Sequence, residues 1–267
     1  MKLTVCFKTI AEYGRLPEEA WKPSLLDPDI RPDASYIRRD FNCYDESALE
    51  MGLALGEGSW ETTALTIDTP GADLFLRHLY AVGYDRAIRI DPAGADLRFS
   101  PETVARIIAK HVVQDRTDLV ILGTQGGEGD NRQTGYFLAE ILGRPCIREV
   151  TRVISKGDGI EVESLSDSGT LIRNISLPAI LIVGNSLDAP ILRLPTLAQK
   201  LSASKKEIPL ITPEDLGMDR AALTCNGNRL VRLERMENRR TCTFIDGSTP
   251  EEKAKALYPL IKDRLET

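Results

Sequence analysis

The residues best suited to chemistry lie in Asp118-Leu-Val-Ile-Leu-Gly123-Thr-Gln-Gly126-Gly127-Glu-Gly129-Asp130-Asn131-Arg-Gln133-Thr134-Gly135. The segment runs from an apolar strand through a glycine-rich turn into a helix. That layout aims backbone N–H groups and a helix N-terminus at one point, as a phosphate site does. Glycines let the main chain approach an anion with no Cβ in the way. Asn131, Gln133 and Thr134 can add side-chain donors, whereas Glu128 and Asp130 repel a dianion unless they face a ribose or solvent. No Gly-Lys-Ser/Thr follows, and the spacing is not Gly-x-Gly-x-x-Gly, so both the Walker A loop and the dinucleotide fingerprint are absent. A plain glycine-rich connection is the competing interpretation.

A second loop, Arg39-Asp40-Phe41-Asn42-Cys43-Tyr44-Asp45-Glu46, precedes a helix predicted over 44–55. With Asn42 or Cys43 near the cap and acids in the first turn, it reads as ordinary helix capping. Alternatively, its backbone and Asn42 recognise a nucleobase, since ligands of parallel sheets collect at the carboxyl ends of the strands. Asp68, directly after a strand at 63–67, falls on the same edge. His78 and His111 sit in predicted helices among apolar neighbours and read as packing residues. There is no Gly-x-Ser-x-Gly, no cysteine with a positioned base, and no carboxylate pair selected by spacing, so covalent and acid–base catalysis have no motif behind them.

These loops need a scaffold, and the hydrophobic pattern supplies one. Buried strands are predicted at 3–7, 63–67, 87–90 and 118–122, with helices at 44–55, 72–82 and 101–113. The last helix has Ser100 as N-cap and Pro101 at its first position. Strands alternating with helices imply a doubly wound α/β sheet with right-handed crossovers. After Pro145 the pattern changes to strand-like runs at 146–155, 160–164, 169–176 and 179–183. Turn signals at Lys156-Gly157-Asp158-Gly159 and Ser166-Asp167-Ser168-Gly169 predict an antiparallel extension.

From Asn185 to Lys206 there is no clean period. Leu192, Leu194, Leu197 and Leu201 give unpaired apolar bulk, and Lys200, Lys205 and Lys206 add positive charge, which reads as an exposed arm that needs a partner. A final helix is predicted over 250–265, marked by Thr249-Pro250-Glu251-Glu252 and an apolar stripe of Ala254, Leu257, Leu260, Ile261 and Leu265. The expected organisation is a nucleotide-binding α/β domain over 1–184, an arm over 185–211, and a C-terminal segment over 212–267 that packs on the core or on another subunit.

Composition narrows the function classes. The 267 residues are 42% hydrophobic and 28% charged, ordinary for a packed chain. A net charge of −6 has the wrong sign for a dedicated nucleic-acid binder, so nucleic acid is not an expected partner. The five cysteines are odd in number with no Cys-x-x-Cys, which argues against a disulfide framework or a metal site and for a reducing, cytoplasmic compartment. The apolar run before Lys8 is too short for a secretory signal, and no stretch approaches the roughly 20 residues of a membrane span.

Several motifs follow one another along nearly the whole chain: a first strand ending in Lys8 with Tyr13 after it; Asn42-x-x-Asp45-Glu46-x-Ala48-x-Glu50; Gly83-x-Asp85-Arg86-Ala87; Asp118-Leu-Val-Ile-Leu-Gly123-x-Gln125 continuing to Asn131-x-Gln133-Thr134-Gly135; and Leu177-Pro178-Ala179. Together they resemble the β subunit of electron transfer flavoproteins. The resemblance implies a Rossmann-like three-layer αβα sandwich with a protruding arm. It also implies a heterodimer with an α subunit whose FAD takes electrons from dehydrogenases, of the acyl-CoA type or others, and passes them to an acceptor.

By position, the resemblance places AMP or a second FAD against Cys6, Asn42, Cys43, Tyr44, Asp45, Asp68 and the run Gly123, Thr124, Gln125, Gly126, Gly127, Glu128, Gly129, Asp130, Asn131, Arg132, Gln133 and Thr134. It places dehydrogenase contact at Leu194-Pro195, rimmed by Arg193 and Lys200. Cys43 stands where the family has Pro, and the Gly126-Gly127-Glu128-Gly129 loop and the arm depart from the common wording, which marks a divergent branch and leaves AMP and FAD both open. The family implies a carrier with no turnover of its own. A stand-alone adenine-nucleotide hydrolase or sensor on the same kind of sheet is the rival, because a fold and a phosphate loop do not specify function.

Overall fold

A strand covered by helices on both faces needs apolar side chains in both directions, so it reads as an unbroken apolar run. Such runs build the centre of the sheet here. The computed structural model describes residues 1–26, 37–58, 60–127, 129, 131–184, 190–223 and 242–265, in two units, Met1–Leu233 and Glu234–Thr267. In chain order the first unit contains β1 (Lys2–Cys6), β2 (Thr9–Ala11), α1 (Glu18–Leu26), β3 (Arg39–Phe41), α2 (Cys43–Gly56), β4 (Glu61–Ile67), α3 (Asp73–Val82), β5 (Arg86–Ile90), α4 (Pro101–Asp115), β6 (Leu119–Gly123) and α5 (Thr134–Leu142). It continues with β7 (Cys146–Lys156), β8 (Gly159–Ser166), β9 (Gly169–Ser176), β10 (Ala179–Val183), α6 (Leu197–Ala203) and β11 (Leu210–Ile211). The second unit contains α7 (Pro250–Leu265), whose first turn is capped by Thr249 Oγ1 accepting from Glu252 N at 3.2 Å.

Nine strands form one sheet in the order β11-β5-β4-β1-β6-β10-β7-β8-β9. Neighbours from β11 to β7 are parallel, and β8 and β9 extend the sheet by antiparallel pairing. Successive strand residues point to opposite faces. Val5, Ile121 and Leu181 therefore join Leu49 of α2 and Leu76 of α3 in one core, while Cys6, Val120 and Ile182 join Ile107 of α4 and Leu138 of α5 in the other. On the first face α2 lies close against β1: a Cβ at Gly52 would fall 2.5 Å from Val5 Cγ2 and 2.7 Å from the Tyr84 hydroxyl. The sandwich and its antiparallel part match the expected class.

The structure corrects three expectations. Ala179–Val183 is no hairpin strand; β10 inserts between β6 and β7, parallel to both. Its five residues are all buried, and an all-apolar strand carries no alternation from which to read its neighbours. The supposedly aperiodic arm contains α6, seven residues long and too short to show a period. Its sequence signal is a capping box, in which Thr196 Oγ1 accepts from Gln199 N and Gln199 Oε1 accepts from Thr196 N. Leu192 is 5% exposed and belongs to the core rather than to the unpaired apolar bulk. Ser100 does occupy the N-cap position of α4, but its hydroxyl makes no cap bond and has no partner among the described residues. Also among the described residues, no helix is long and apolar enough to cross a membrane.

His111, 3% exposed in α4, has no hydrogen-bond partner for Nε2 among the described residues. Burial lowers its pKa below the ordinary 6.5, with Arg86 and Lys2 reinforcing and Asp115 opposing. The unfolded chain therefore binds a proton here more readily than the folded one. The stability this group permits is complete above pH 6.5 and is lost as pH falls below it. His111→Leu should accordingly flatten the acid limb. Between about pH 7.5 and 5.5 the urea midpoint should fall less in the variant than in the natural chain, and equal falls would remove His111 as a cause.

Candidate functional site

The chain leaves β1 towards β4 and β5 on one side and later returns to place β6 on the other side of β1, so the strand order reverses at β1. Open α/β sheets bind ligands at such a reversal, outside the carboxyl ends of the strands. A cavity of about 270 Å³ opens there. Its depth is apolar, walled by Leu65, Leu122 and Ile182 of the strands and by Val104 and Ile108 of α4. Lys8, Arg39, Asp68, Gln125, Arg98 and Arg132 provide charged and polar groups in its lining. An apolar slot with a few polar groups suits a flat base carrying a charged end.

The glycine-rich loop is held from several sides. Gly123 N donates to Asp45 Oδ1 at 3.0 Å, and a Cβ on Gly123 would lie 2.3 Å from that oxygen and 2.7 Å from Tyr44 Cβ. This glycine is demanded by the N-terminus of α2 pressing on the strand end. Thr124 N donates to Val183 O at 2.9 Å. The first two N–H groups of the turn thus serve the protein itself. Further along, Asn42 Nδ2 donates to Gln125 O at 2.6 Å. A Cβ on Gly127 would sit 3.1 Å from Ile10 Cγ2 in β2, and one on Gly129, at φ +78°, only 2.0 Å from the Arg98 carbonyl oxygen. Asn131 Oδ1 accepts from Gln133 N at 3.1 Å, shaping the entry to α5.

Two carboxylates organise the strand ends. Asp45 is buried, and its other oxygen accepts from Lys8 N at 2.9 Å, so one side chain ties the end of β1 to the end of β6. Burial pushes its pKa up to about 7, against the lowering pull of the Lys8, Asn42 and Gly123 hydrogen bonds. Asp68 Oδ2 accepts from Thr9 Oγ1 and from Arg39 Nη2, each at 2.8 Å. Burial, with Asp45 nearby, raises the pKa of Cys6 far above a thiol's ordinary range, which keeps it protonated and inert.

Of the residues expected to hold a nucleotide, Cys6, Asp45, Asp68, Gly123, Thr124, Gln125, Gly126, Asn131, Arg132, Gln133 and Thr134 line the cavity. Asn42, Cys43, Tyr44, Gly127 and Gly129 are not among its lining. Asn42 is 3% exposed and buttresses the loop through Gln125, while Cys43 is exposed in the first turn of α2. Glu128 and Asp130 lie outside the described residues. Sequence reasoning missed the wall built by Pro92, Leu97 and Arg98 and the contribution of Arg39. The signal was available: the Asp91–Ser100 segment follows β5 at the same sheet edge and carries Pro92, Gly94, Asp96 and Arg98.

The arm separates the other four predicted residues. Leu194 is 86% exposed, Lys200 is exposed, and Pro195 is half-buried. Arg193 is instead engaged within the chain. Its Nη2 and Nε donate to Glu50 Oε1 at 2.6 and 2.9 Å, and its Nη1 donates to Glu57 Oε1 at 2.8 Å. Arg193 is thus anchored to Glu50 of α2 and to Glu57 just after it, while remaining exposed beside Leu194. Beyond it, Arg77 Nη1 of α3 donates to Ser204 O at 2.9 Å.

Residues 34–216 match the electron transfer flavoprotein domain family. YgcR of Escherichia coli K12, provisionally named an electron transfer flavoprotein subunit, is 34% identical over 260 residues, 97% of this chain and 96% of its own. The human electron transfer flavoprotein subunit beta is 33% identical over 199 residues, 71% of this chain and 77% of its own. The mitochondrial subunit beta of Oryza sativa subsp. indica is 30% identical over 230 residues, covering 82% and 85%. With a switch-point cavity at the end of a doubly wound sheet and a family match across more than half its length, the chain belongs to the electron transfer flavoprotein β-subunit family.

Proposed function

We propose that this chain works as a carrier subunit: it holds an AMP-like mononucleotide in the switch-point cavity and pairs with an α subunit carrying FAD. Electrons would pass from a dehydrogenase, of the acyl-CoA type or another, to that FAD and on to an acceptor. The observation that carries the nucleotide assignment is the cavity itself, apolar in depth and polar at Gln125, Arg98 and Arg132. Its volume of about 270 Å³ lies just below the roughly 300–1,000 Å³ typical of ligand clefts. That size favours a mononucleotide over a second FAD. Leu65, Leu122 and Val104 would hold the base, and Gln125, Arg132 and the start of α5 the phosphate.

FAD, when bound, supplies the redox chemistry. This chain binds, orients and excludes water. Both Asp45 oxygens accept backbone N–H groups and Cys6 stays protonated, so these two residues serve the frame of the site. Leu194 is the candidate apolar anchor for the dehydrogenase, flanked by Pro195 and Lys200. Free Cys6, Cys43, Cys146 and Cys242 fit a cytoplasmic setting.

The test is to co-purify the chain with its α subunit, denature the complex in acid and quantify released AMP and FAD. One AMP and one FAD per heterodimer is the expected result. Two FAD without AMP would put FAD in this cavity, and ATP turnover by the isolated chain would replace the carrier with a hydrolase.

A further inference from the structure

A regular extended chain would send Leu192 and Leu194 to the same side, and residues 191–194 depart from that alternation. Ile191 and Leu194 are 82% and 86% exposed, while Leu192 between them is 5% exposed in the core. Nothing in three apolar residues of similar size decides which one goes inward. The fourth residue, Arg193, is tied to the core's second helix. Besides its two side-chain bonds to Glu50 Oε1 and its bond to Glu57, its backbone N donates to Glu50 Oε2 at 3.0 Å, so main chain and side chain are gripped by the same carboxylate.

The platform is rigid. Glu50 follows Leu49, whose carbonyl accepts from the fully buried Tyr84 hydroxyl at 2.8 Å, and Gly52 lets α2 lie against Val5. At its far end the arm is fastened again, by Ala203 in the core and by Arg77 and Tyr80 of α3 donating to the carbonyls of Ser204 and Glu207. The exposed Leu194, Leu197 and Leu201 lie between two fixed ends.

We infer that Arg193 is a positioning residue, clamped by Glu50 and Glu57 so that the arm is held with Leu192 inward and Leu194 outward before any partner arrives. This rests on the assignment of the arm as a docking element only for its purpose; the clamp itself lies wholly within this chain. Lysine cannot replace it, because a single ammonium does not present the fork that meets both acids. Holding the contact residue in advance removes an ordering cost from binding.

The experiment uses the full-length chain co-purified with its α subunit, with no dehydrogenase present. Nitroxides at Leu194→Cys and Val113→Cys, in a background with Cys43, Cys225 and Cys242 changed to Ser, report the distance distribution between arm and core. Val113 is an exposed position on α4. With the natural Arg193 the distribution should be narrow. Arg193→Gln and Glu50→Gln should each widen it, and amide exchange over 191–196 should rise by about tenfold or more, as expected for loss of charge-assisted bonds. Arg193→Lys should recover only part of the loss, and the exchanged pair Arg193→Glu with Glu50→Arg most of it. Melting temperature and bound nucleotide should stay unchanged throughout.

An unaltered distribution in Arg193→Gln overturns the clamp. Leu194→Ala separates the two claims: should it leave electron transfer from the dehydrogenase untouched while the clamp results stand, the docking assignment fails and the clamp survives.

Discussion

Replacing Gly129 by alanine should weaken AMP binding in the proposed nucleotide cavity while leaving the fold standing. A Cβ at this position would lie 2.0 Å from the carbonyl oxygen of Arg98 and 3.0 Å from its carbon. Both are backbone atoms, fixed by the Leu97–Ser100 turn in which Ser100 N donates to Leu97 O at 3.2 Å. They cannot rotate away as a side chain would. The residue also adopts φ +78°, a conformation that adds about 1–3 kcal/mol for a residue with a Cβ.

The loop must therefore move, and with it Gln125, Arg132 and the entry to α5, which line the cavity. Because the strain falls on a surface loop outside both cores, the urea midpoint should change little. Affinity for AMP, measured by calorimetry on nucleotide-stripped protein, should fall by about tenfold to a hundredfold, the equivalent of roughly 1.4–3 kcal/mol. Gly157→Ala is the control. Gly157 has φ +60° but nothing within 4 Å of an added Cβ, and it sits in the β7–β8 turn. Equal loss of AMP in both variants would mean that backbone strain, and not the seating of the loop on Arg98, accounts for the effect.

The second large effect is expected at Asp45. Truncation to alanine strands the N–H groups of Lys8 and Gly123 at the buried junction of β1 and β6. Each orphaned donor costs about 1–3 kcal/mol, so Asp45→Ala should destabilise the chain by roughly 2–6 kcal/mol. The pH dependence of that loss identifies the cause. Burial raises the carboxyl to about 7 from an ordinary 3.8, so folding takes up a proton across that interval. The contribution of the group is greatest below about pH 4 and declines as pH rises towards 7.

The destabilisation caused by Asp45→Ala should then be about 3 kcal/mol larger at pH 5 than at pH 8, from 1.36 kcal/mol per unit over about two units. Urea unfolding of both proteins at the two values measures it. No difference would mean the carboxyl titrates normally in the fold, and a reversed sign would mean that its hydrogen bonds outweigh its burial. His111 acts in the opposite direction on the acid side, which is why the comparison is between variant and natural chain at each pH and not between pH values alone.

What was legible in the sequence was local. The largely apolar run Leu-Thr-Val-Cys and the unbroken one Leu-Val-Ile-Leu announced buried strands, Pro101 announced the start of α4, and Lys156-Gly157-Asp158-Gly159 announced a hairpin that the structure closes by pairing Lys156 with Gly159. The motif order identified the family, because it is spread over most of the chain. Less legible was the use made of each polar group. Asn42 does hold the N-cap position of α2, but its side chain is spent as a buried strut under Gln125. Gly123 looked like part of a phosphate cradle and is a glycine because Asp45 and Tyr44 press against it. Arg193, a candidate rim cation, is bonded to Glu50, 143 positions away in the chain.

By itself, then, the sequence determined the longer strands and helices, the αβα class, the family, and the two stretches where function would be sought. These depend on periodicity, turn residues and capping, which act over a few positions and can be read along the chain. Only the tertiary structure decided that β10 lies parallel between β6 and β7, that the Asp91–Ser100 segment closes the cavity, and which acceptor each buried donor meets. The reason is physical. A buried N–H or guanidinium must find a partner but does not encode which one, and the partner is chosen by the packing of elements that are distant in sequence and adjacent only after the sheet has formed.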